Sequence, residues 1–216
     1  MTTDEGRVDP VRPSQQMRDL GIVQYGAPIL AETSRPFGLP DERETTDRVI
    51  SQLLDAMERI RRAHDFSGKG LGLAAPQIGI SRAAAVVQPP NADPIVLLNP
   101  RITAASDEMD EKFEGCLSFF DVRTPVPRPL QITVETVTPV GSTATTVYER
   151  GEARLIAHEI DHLGGLLLLN RVRPGVAPIP VEEYRTTAEA TGRAWSYEWK
   201  TQDPERHARL GPPEGM

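Results

Sequence analysis

The chain has 216 residues, 38% hydrophobic and 25% charged, which is enough apolar material for one globular core and argues against wholesale disorder. Thirty-one acidic against twenty-four basic residues give a net charge of −7, which disfavours non-specific nucleic-acid binding, a process driven by phosphate neutralisation, so no DNA partner is expected. A single cysteine, Cys116, excludes an internal disulfide and favours a reducing, cytoplasmic setting, and neither a secretory leader nor an apolar run of membrane-spanning length is visible.

Residues 1–20 are polar, carry Pro10 and Pro13, lack periodicity, and read as a flexible N-terminal arm. Turn residues break up short apolar pieces from Gly21 to Pro40. Asp41–His64 is the clearest amphipathic helix, with Val49, Leu53, Met57 and Ile60 recurring at three- and four-residue intervals. Gly68, Gly70 and Gly72 end that pattern. β-like segments follow at 83–88, 95–99, 130–138 and 143–149, and the last two read as a hairpin around Val140, Gly141 and Ser142. Gly151–Leu163 reads as a second helix with Gly164 and Gly165 just past its end, and Leu166–Leu169 as a short buried strand. The chain is Pro-rich to Pro180, and Val181–Trp199 reads as a third helix. Strands grouped between helices, without βαβ alternation, indicate the α+β class.

His158-Glu159-Ile160-Asp161-His162 is an H-E-x-x-H pattern. On a helix, residues i and i+4 share one face about a turn apart, so two imidazoles can bind one metal ion. The glutamate beside the first histidine can then serve as general base to a bound water. Leu155, Ile156, Ile160 and Leu163 mark this helix as mostly buried, which argues against two idle surface histidines. Two candidates compete as third ligand. Glu182 lies about twenty residues beyond His162, the spacing of thermolysin-like proteases, but its neighbours look like an ordinary helix start. Cys116, in Glu114-Gly115-Cys116-Leu117-Ser118, offers a thiolate suited to zinc or iron(II), although an isolated cysteine is more often a small core residue.

Gly70–Gln77 can be misread as a dinucleotide-binding loop, but no strand precedes it and Pro76 interrupts any helix that would follow. It reads better as a backbone strip without bulky side chains, open to a peptide-like substrate, with the Gln77 amide at its end. G-x-G-x-A-A-x-Q, E-G-C-x-S and H-E-x-x-H, in this order and at these separations, resemble the three signature motifs of the peptide deformylases over roughly Gly21–Arg173.

The resemblance implies antiparallel sheets around a central helix carrying H-E-x-x-H, within a catalytic domain at 21–173 followed by a C-terminal extension at 174–216. It implies Cys116, His158 and His162 as ligands of one divalent metal ion, iron(II) (Fe2+) in the cell with zinc, nickel or cobalt as substitutes, and it removes Glu182 from the ligand set. The implied reaction is hydrolysis of the formyl group from N-formylmethionyl nascent peptides; the alternative is a metallohydrolase of the same fold acting on another N-acyl amine. Glu159 would be the base, Gln77 and the Leu117 N–H the donors to the developing oxyanion, and Leu71 and Gly72 the backbone partners of the substrate. Leu71, Glu114 and Leu155 would surround the methionine side chain, and Arg123 resembles a family arginine at the substrate. Asp161 is expected to be structural or to orient a ligand. Two departures stand out. Phe119-Phe120-Asp121 replaces a small aliphatic residue, proline and glycine. The C-terminal region is mixed in charge, so a transient ribosome contact has no basic tail to support it.

Overall fold

The computed structural model describes residues 12–64, 66 and 68–191. Its elements are α1 (Pro13–Asp19), α2 (Arg43–Ala63), β1 (Leu71–Ala74), β2 (Ala84–Gln88), β3 (Ile95–Leu98), β4 (Arg101–Ala105), β5 (Met109–Cys116), β6 (Phe119–Pro129), β7 (Gln131–Val137), β8 (Thr143–Glu149), α3 (Arg150–Leu163), β9 (Ile179–Pro180) and α4 (Val181–Thr191). The strands form three antiparallel three-stranded sheets, ordered β1-β2-β3, β4-β7-β8 and β5-β6-β9. This is an α+β architecture.

The first sheet is buried on both faces. Leu71, Leu73, Ala84, Val86 and Leu98 pack against Val49, Leu53, Ala56, Met57 and Ile60 of α2. The alternate residues Ala74, Ala85, Val87, Ile95 and Leu97 pack against Ile156, Ala157 and Leu163 of α3 and against Ile132 and Val134 of β7. Double burial explains why 84–88 carries no polar alternation. Leu53 and Ile60 are fully buried, and each such side chain contributes about 1.5–3 kcal/mol of transfer free energy. α3 touches β1 and β2 of the first sheet, β7 and β8 of the second and β6 of the third, and ten of its fourteen residues are buried. Gly165, at φ +72°, lets the chain leave α3 against Ala31, whose backbone lies 2.7 Å from where a Cβ would sit.

Several expectations change. The arm expected over 1–20 lies outside the described residues up to 11, but Pro13–Asp19 is a helix whose Met17 is fully buried. β4, β5 and β6 were not foreseen, and neither was β1, which runs through the glycine strip. Leu166–Leu169 is no strand; Leu168–Asn170 forms a 3-10 turn. The C-terminal extension starts inside the fold: β9 pairs with Val122 and Arg123, Val181 is buried, and Tyr184 lies 5.2 Å from Phe113, ring centre to ring centre. The expected helix over 181–199 is described to Thr191, and the rest lies outside the described residues.

Candidate metal centre

α3 presents His158 and His162 on one face, and the end of β5 brings Cys116 to them. Their ligand atoms all lie within 4.8 Å of one another, all three residues are buried, and Cys116 Sγ is 3.2 Å from His162 Nε2. One sulfur and two imidazole nitrogens converging in a buried site is a donor set that fits a divalent transition metal. His158 Nδ1 lies 3.0 Å from Glu114 Oε2, a pairing that orients the ring and leaves Nε2 for an ion. Glu182, the rival ligand, is an exposed residue paired with Arg185.

Glu159, beside His158 on α3, is almost fully buried, and its Oε2 has no hydrogen-bond partner. Burial pushes its pKa up to about 7, against the charge of His158, which pulls it down. Gly72 explains how the carboxylate fits: a Cβ there would stand 2.2 Å from Glu159 Oε1. Gly72 therefore makes room for Glu159, a reason the sequence did not show. β1 is the outer strand of its sheet, and among the described residues no strand pairs with its edge away from β2.

Gln77 occupies the 3-10 turn Ala75–Ile78. Its Oε1 accepts the Ala74 N–H at 2.8 Å, which turns Nε2 towards Ser118 Oγ at 3.3 Å and Cys116 Sγ at 3.7 Å. Leu117 follows Cys116 in the tight turn between β5 and β6, with its side chain buried in the α2 core. Arg123 lies across Gly115, where a Cβ would fall 2.6 Å from its Cζ, and it donates to the carbonyls of Phe120 and Val122. Leu71 is buried and Leu155 partly so, in different apolar clusters.

The carboxylate of Glu114 is wholly engaged by buried neighbours. It accepts from Arg128 Nε and Nη2 at 3.0 Å each, from Arg154 Nη1 at 2.7 Å and pairs with His158. Burial alone would raise its pKa, but the His158 hydrogen bond and the Arg128 charge hold it well below the usual carboxylate range. Arg128 Nη1 also donates to Asp161 Oδ2 at 2.6 Å, and Arg171 Nη2 to Asp161 Oδ1 at 2.5 Å. Asp161 thus anchors arginines and is linked to His158 through Arg128 and Glu114. Arg154 escaped the reading by motif, and Arg128, within the family-like stretch Val126–Pro129, had no role assigned in it. A usable signal existed for Arg154, a cation four residues before His158 on a buried helix face.

The Phe119–Asp121 departure resolves into packing and a tie. The Phe119 ring lies 4.8 Å from that of Tyr25, Phe120 is buried in the α2 core, and Asp121 bonds Ser14 of α1.

Residues 20–177 match the polypeptide deformylase family. A peptide deformylase of Desulforudis audaxviator is 39% identical over 150 residues, covering 69% of this chain and 91% of its own. The crystal structure of the Thermotoga maritima peptide deformylase superposes with a TM-score of 0.62 at 31% identity, covering 71% of this chain and 97% of that one. A Met-Ala-Ser-bound peptide deformylase from Acinetobacter baumannii does so with a TM-score of 0.61 at 29% identity, covering 70% and 96%.

Proposed function

This chain belongs to the polypeptide deformylase family, whose members are metal-dependent amide hydrolases, and on that premise we propose that it removes the formyl group from N-formylmethionine at the start of newly made proteins. The observation that carries the reading is the convergence of Cys116, His158 and His162 beside a buried glutamate with an unpartnered oxygen. The three residues would hold the ion, iron(II) in the cell, since one thiolate and two imidazoles suit that metal and its zinc, nickel and cobalt substitutes. When bound, the ion supplies Lewis-acid polarisation and a water whose pKa falls towards about 7.

The chain's own residues supply the rest. Glu159 can take a proton at Oε2, the oxygen free of other bonds, and return it to the departing amine, because burial keeps its pKa near the working pH. Gln77, held through Oε1, aims its amide at the site, and with the Leu117 N–H it would donate to the carbonyl oxygen as charge develops there; one such donor is worth about 2.7–4 kcal/mol of barrier. The edge of β1 at Leu71 and Gly72, with no strand paired to it among the described residues, suits an extended peptide added as a strand. Leu71, Leu155 and the stem of Glu114 would meet the methionine side chain, and Arg123 the backbone beyond it. The relative with Met-Ala-Ser bound supports a substrate of this peptide class.

We place the activity in the cytoplasm, where a reducing setting protects the Cys116 thiolate. No helix among the described residues is long and apolar enough to cross a membrane. A ribosome contact, if made, would be transient, because a chain of net charge −7 has no general attraction to RNA.

The test is anaerobic purification, metal analysis and formate release from formyl-Met-Ala on the same sample. One ion per chain with formate release is expected. Equal or faster turnover of acetyl-Met-Ala would replace the formyl reading with hydrolysis of another N-acyl amine.

A further inference from the structure

α1 lies outside residues 20–177, the part of the chain that matches the family, and Asp121 lies in the segment that departs from the family's pattern. These two unexplained pieces meet. Asp121 Oδ1 accepts the Ser14 N–H at 2.8 Å, and Oδ2 accepts the Ser14 hydroxyl at 2.6 Å, across 107 residues of sequence. Arg12, which precedes the helix, gives it no side-chain cap, so Asp121 satisfies a first-turn donor that would otherwise be open. One turn on, Met17 is fully buried in the cluster that contains Leu117 and Phe120.

The chain leaving α1 then runs between the two segments that bear the proposed oxyanion donors. Val23 N–H donates to Gln77 O at 2.8 Å, Gln24 Nε2 to Leu117 O at 3.2 Å, and Tyr25 N–H to Ser118 O at 2.7 Å. The Tyr25 ring also lies against that of Phe119, tilted by 39°. The segment therefore bonds both donor-bearing turns, and Asp121 ties the far end of the same segment back to the start of β6, just past the Leu117–Ser118 turn.

We propose that Asp121 is a positioning residue: by fastening α1 through Ser14 it fixes the Leu117–Ser118 turn and Gln77 relative to Cys116. The inference deepens the deformylase reading of the site and rests on it. Geometry of this kind acts on rate more than on substrate affinity, since a misplacement of about 1 Å can cost about a hundredfold in the chemical step.

The experiment compares wild type with Asp121→Ala, Asp121→Asn, Ser14→Ala and the Ser14→Ala/Asp121→Ala double variant, all loaded with cobalt(II). Three quantities are read: kcat and KM for formyl-Met-Ala, the cobalt–thiolate absorption band without substrate, and Tm. Asp121→Ala is expected to lower kcat about tenfold or more, leave KM within about twofold, and shift the band. Asp121→Asn, which keeps an acceptor for the Ser14 N–H, should recover most of the loss. The double variant should be no worse than Asp121→Ala, because both changes break the same tie. A lowered Tm with unchanged kcat and unchanged band overturns the proposal and leaves Asp121 a purely structural residue; so do additive losses in the double variant. If Asp121→Ala does not fold, Ser14→Ala, which removes one hydroxyl, decides by the same three readings. A wild type inactive on formyl-Met-Ala would refute the deformylase reading, while the band, read without substrate, would still test the tie.

Discussion

Replacing Gly72 with alanine should impair the reaction without removing the metal. The Cβ would stand 2.2 Å from Glu159 Oε1, 2.7 Å from Cδ and 2.8 Å from Cγ. Restoring an ordinary contact of about 3.4 Å requires the carboxylate to retreat by about 1.2 Å or the strand to shift by as much, and close-packed interiors resist both. Gly72 is not among the glycines at positive φ, so the backbone accepts alanine and the clash with Glu159 is isolated as the cause. A general base contributes about 10²–10⁴-fold, and displacing it by about 1 Å forfeits much of that. We therefore expect kcat for formyl-Met-Ala to fall about a hundredfold, with an overpacking cost of about 1–3 kcal/mol in urea unfolding. Metal content should stay at one ion per chain, because Cys116, His158 and His162 are not the atoms struck. Gly38→Ala, whose Cβ would meet Glu42 at an ordinary 3.5 Å, serves as control. A Gly72→Ala enzyme within about threefold of wild type would refute the placement of Glu159 as base, since the base must move in that variant.

Four further outcomes follow from the same geometry. Glu159→Ala should keep the ion by metal analysis and lose about 10²–10⁴-fold in kcat; unchanged turnover would remove Glu159 as base. Cys116→Ala should lose the ion, whereas Glu182→Ala, altering an exposed residue, should retain it; the reverse pattern would overturn the ligand set. Arg128→Ala should cost about 3–5 kcal/mol in urea unfolding, because Glu114 and Asp161 stay buried with a partner missing. A cost below about 1 kcal/mol would mean that water or a neighbour replaces the guanidinium. Glu42 is held below the usual carboxylate range by its bonds from Arg82 and the Gly38 N–H. Its stabilising contribution is therefore complete above the ordinary carboxyl pKa and fades as pH falls through the lowered folded value. The stability difference between wild type and Glu42→Gln should be constant near neutral pH and shrink on acidification; a difference that grows there would reverse the sign.

The parts of this fold that could be read from the sequence are those whose evidence is local. α2 and α3 announce themselves by periodicity, β7 by alternation, and β2 by an unbroken apolar run. β6 was missed because Pro125, Pro127 and Pro129 look like strand breakers. They stand at alternate positions, so their missing N–H groups fall on one edge of the strand, and β5 still pairs along it from Met109↔Pro129 to Glu114↔Thr124. α1 is seven residues with a proline at its start, too short to show a period, and what orders it is Asp121, far along the chain. His158 and His162 were legible because helical spacing alone brings them together. Cys116 against Glu182 could not be decided by spacing, since a third ligand arrives through tertiary structure; the motif resemblance decided it.

Glu114 shows most clearly where reading by motif ends. Its neighbours Gly115 and Cys116 carry the recognisable pattern, yet its partners Arg128, Arg154 and His158 are 14, 40 and 44 residues away. Burying such a group costs several kcal/mol per ion, and ion pairs of this depth often do no better than apolar replacements would. Stability is therefore a poor explanation for placing a carboxylate and two guanidiniums at 4% exposure or less. Orientation is a better one. Glu114 holds His158 by Nδ1, Arg128 holds both oxygens of Glu114, and Asp161 holds Arg128 from the same helix that carries the histidines. The ring of a proposed ligand is thus fixed by a chain of charges that begins and ends on α3 and passes through β5 and β6. An error of register in either strand would leave a buried charge unpaired. The cost of the network in folding free energy thereby becomes a penalty against any packing that misplaces the site.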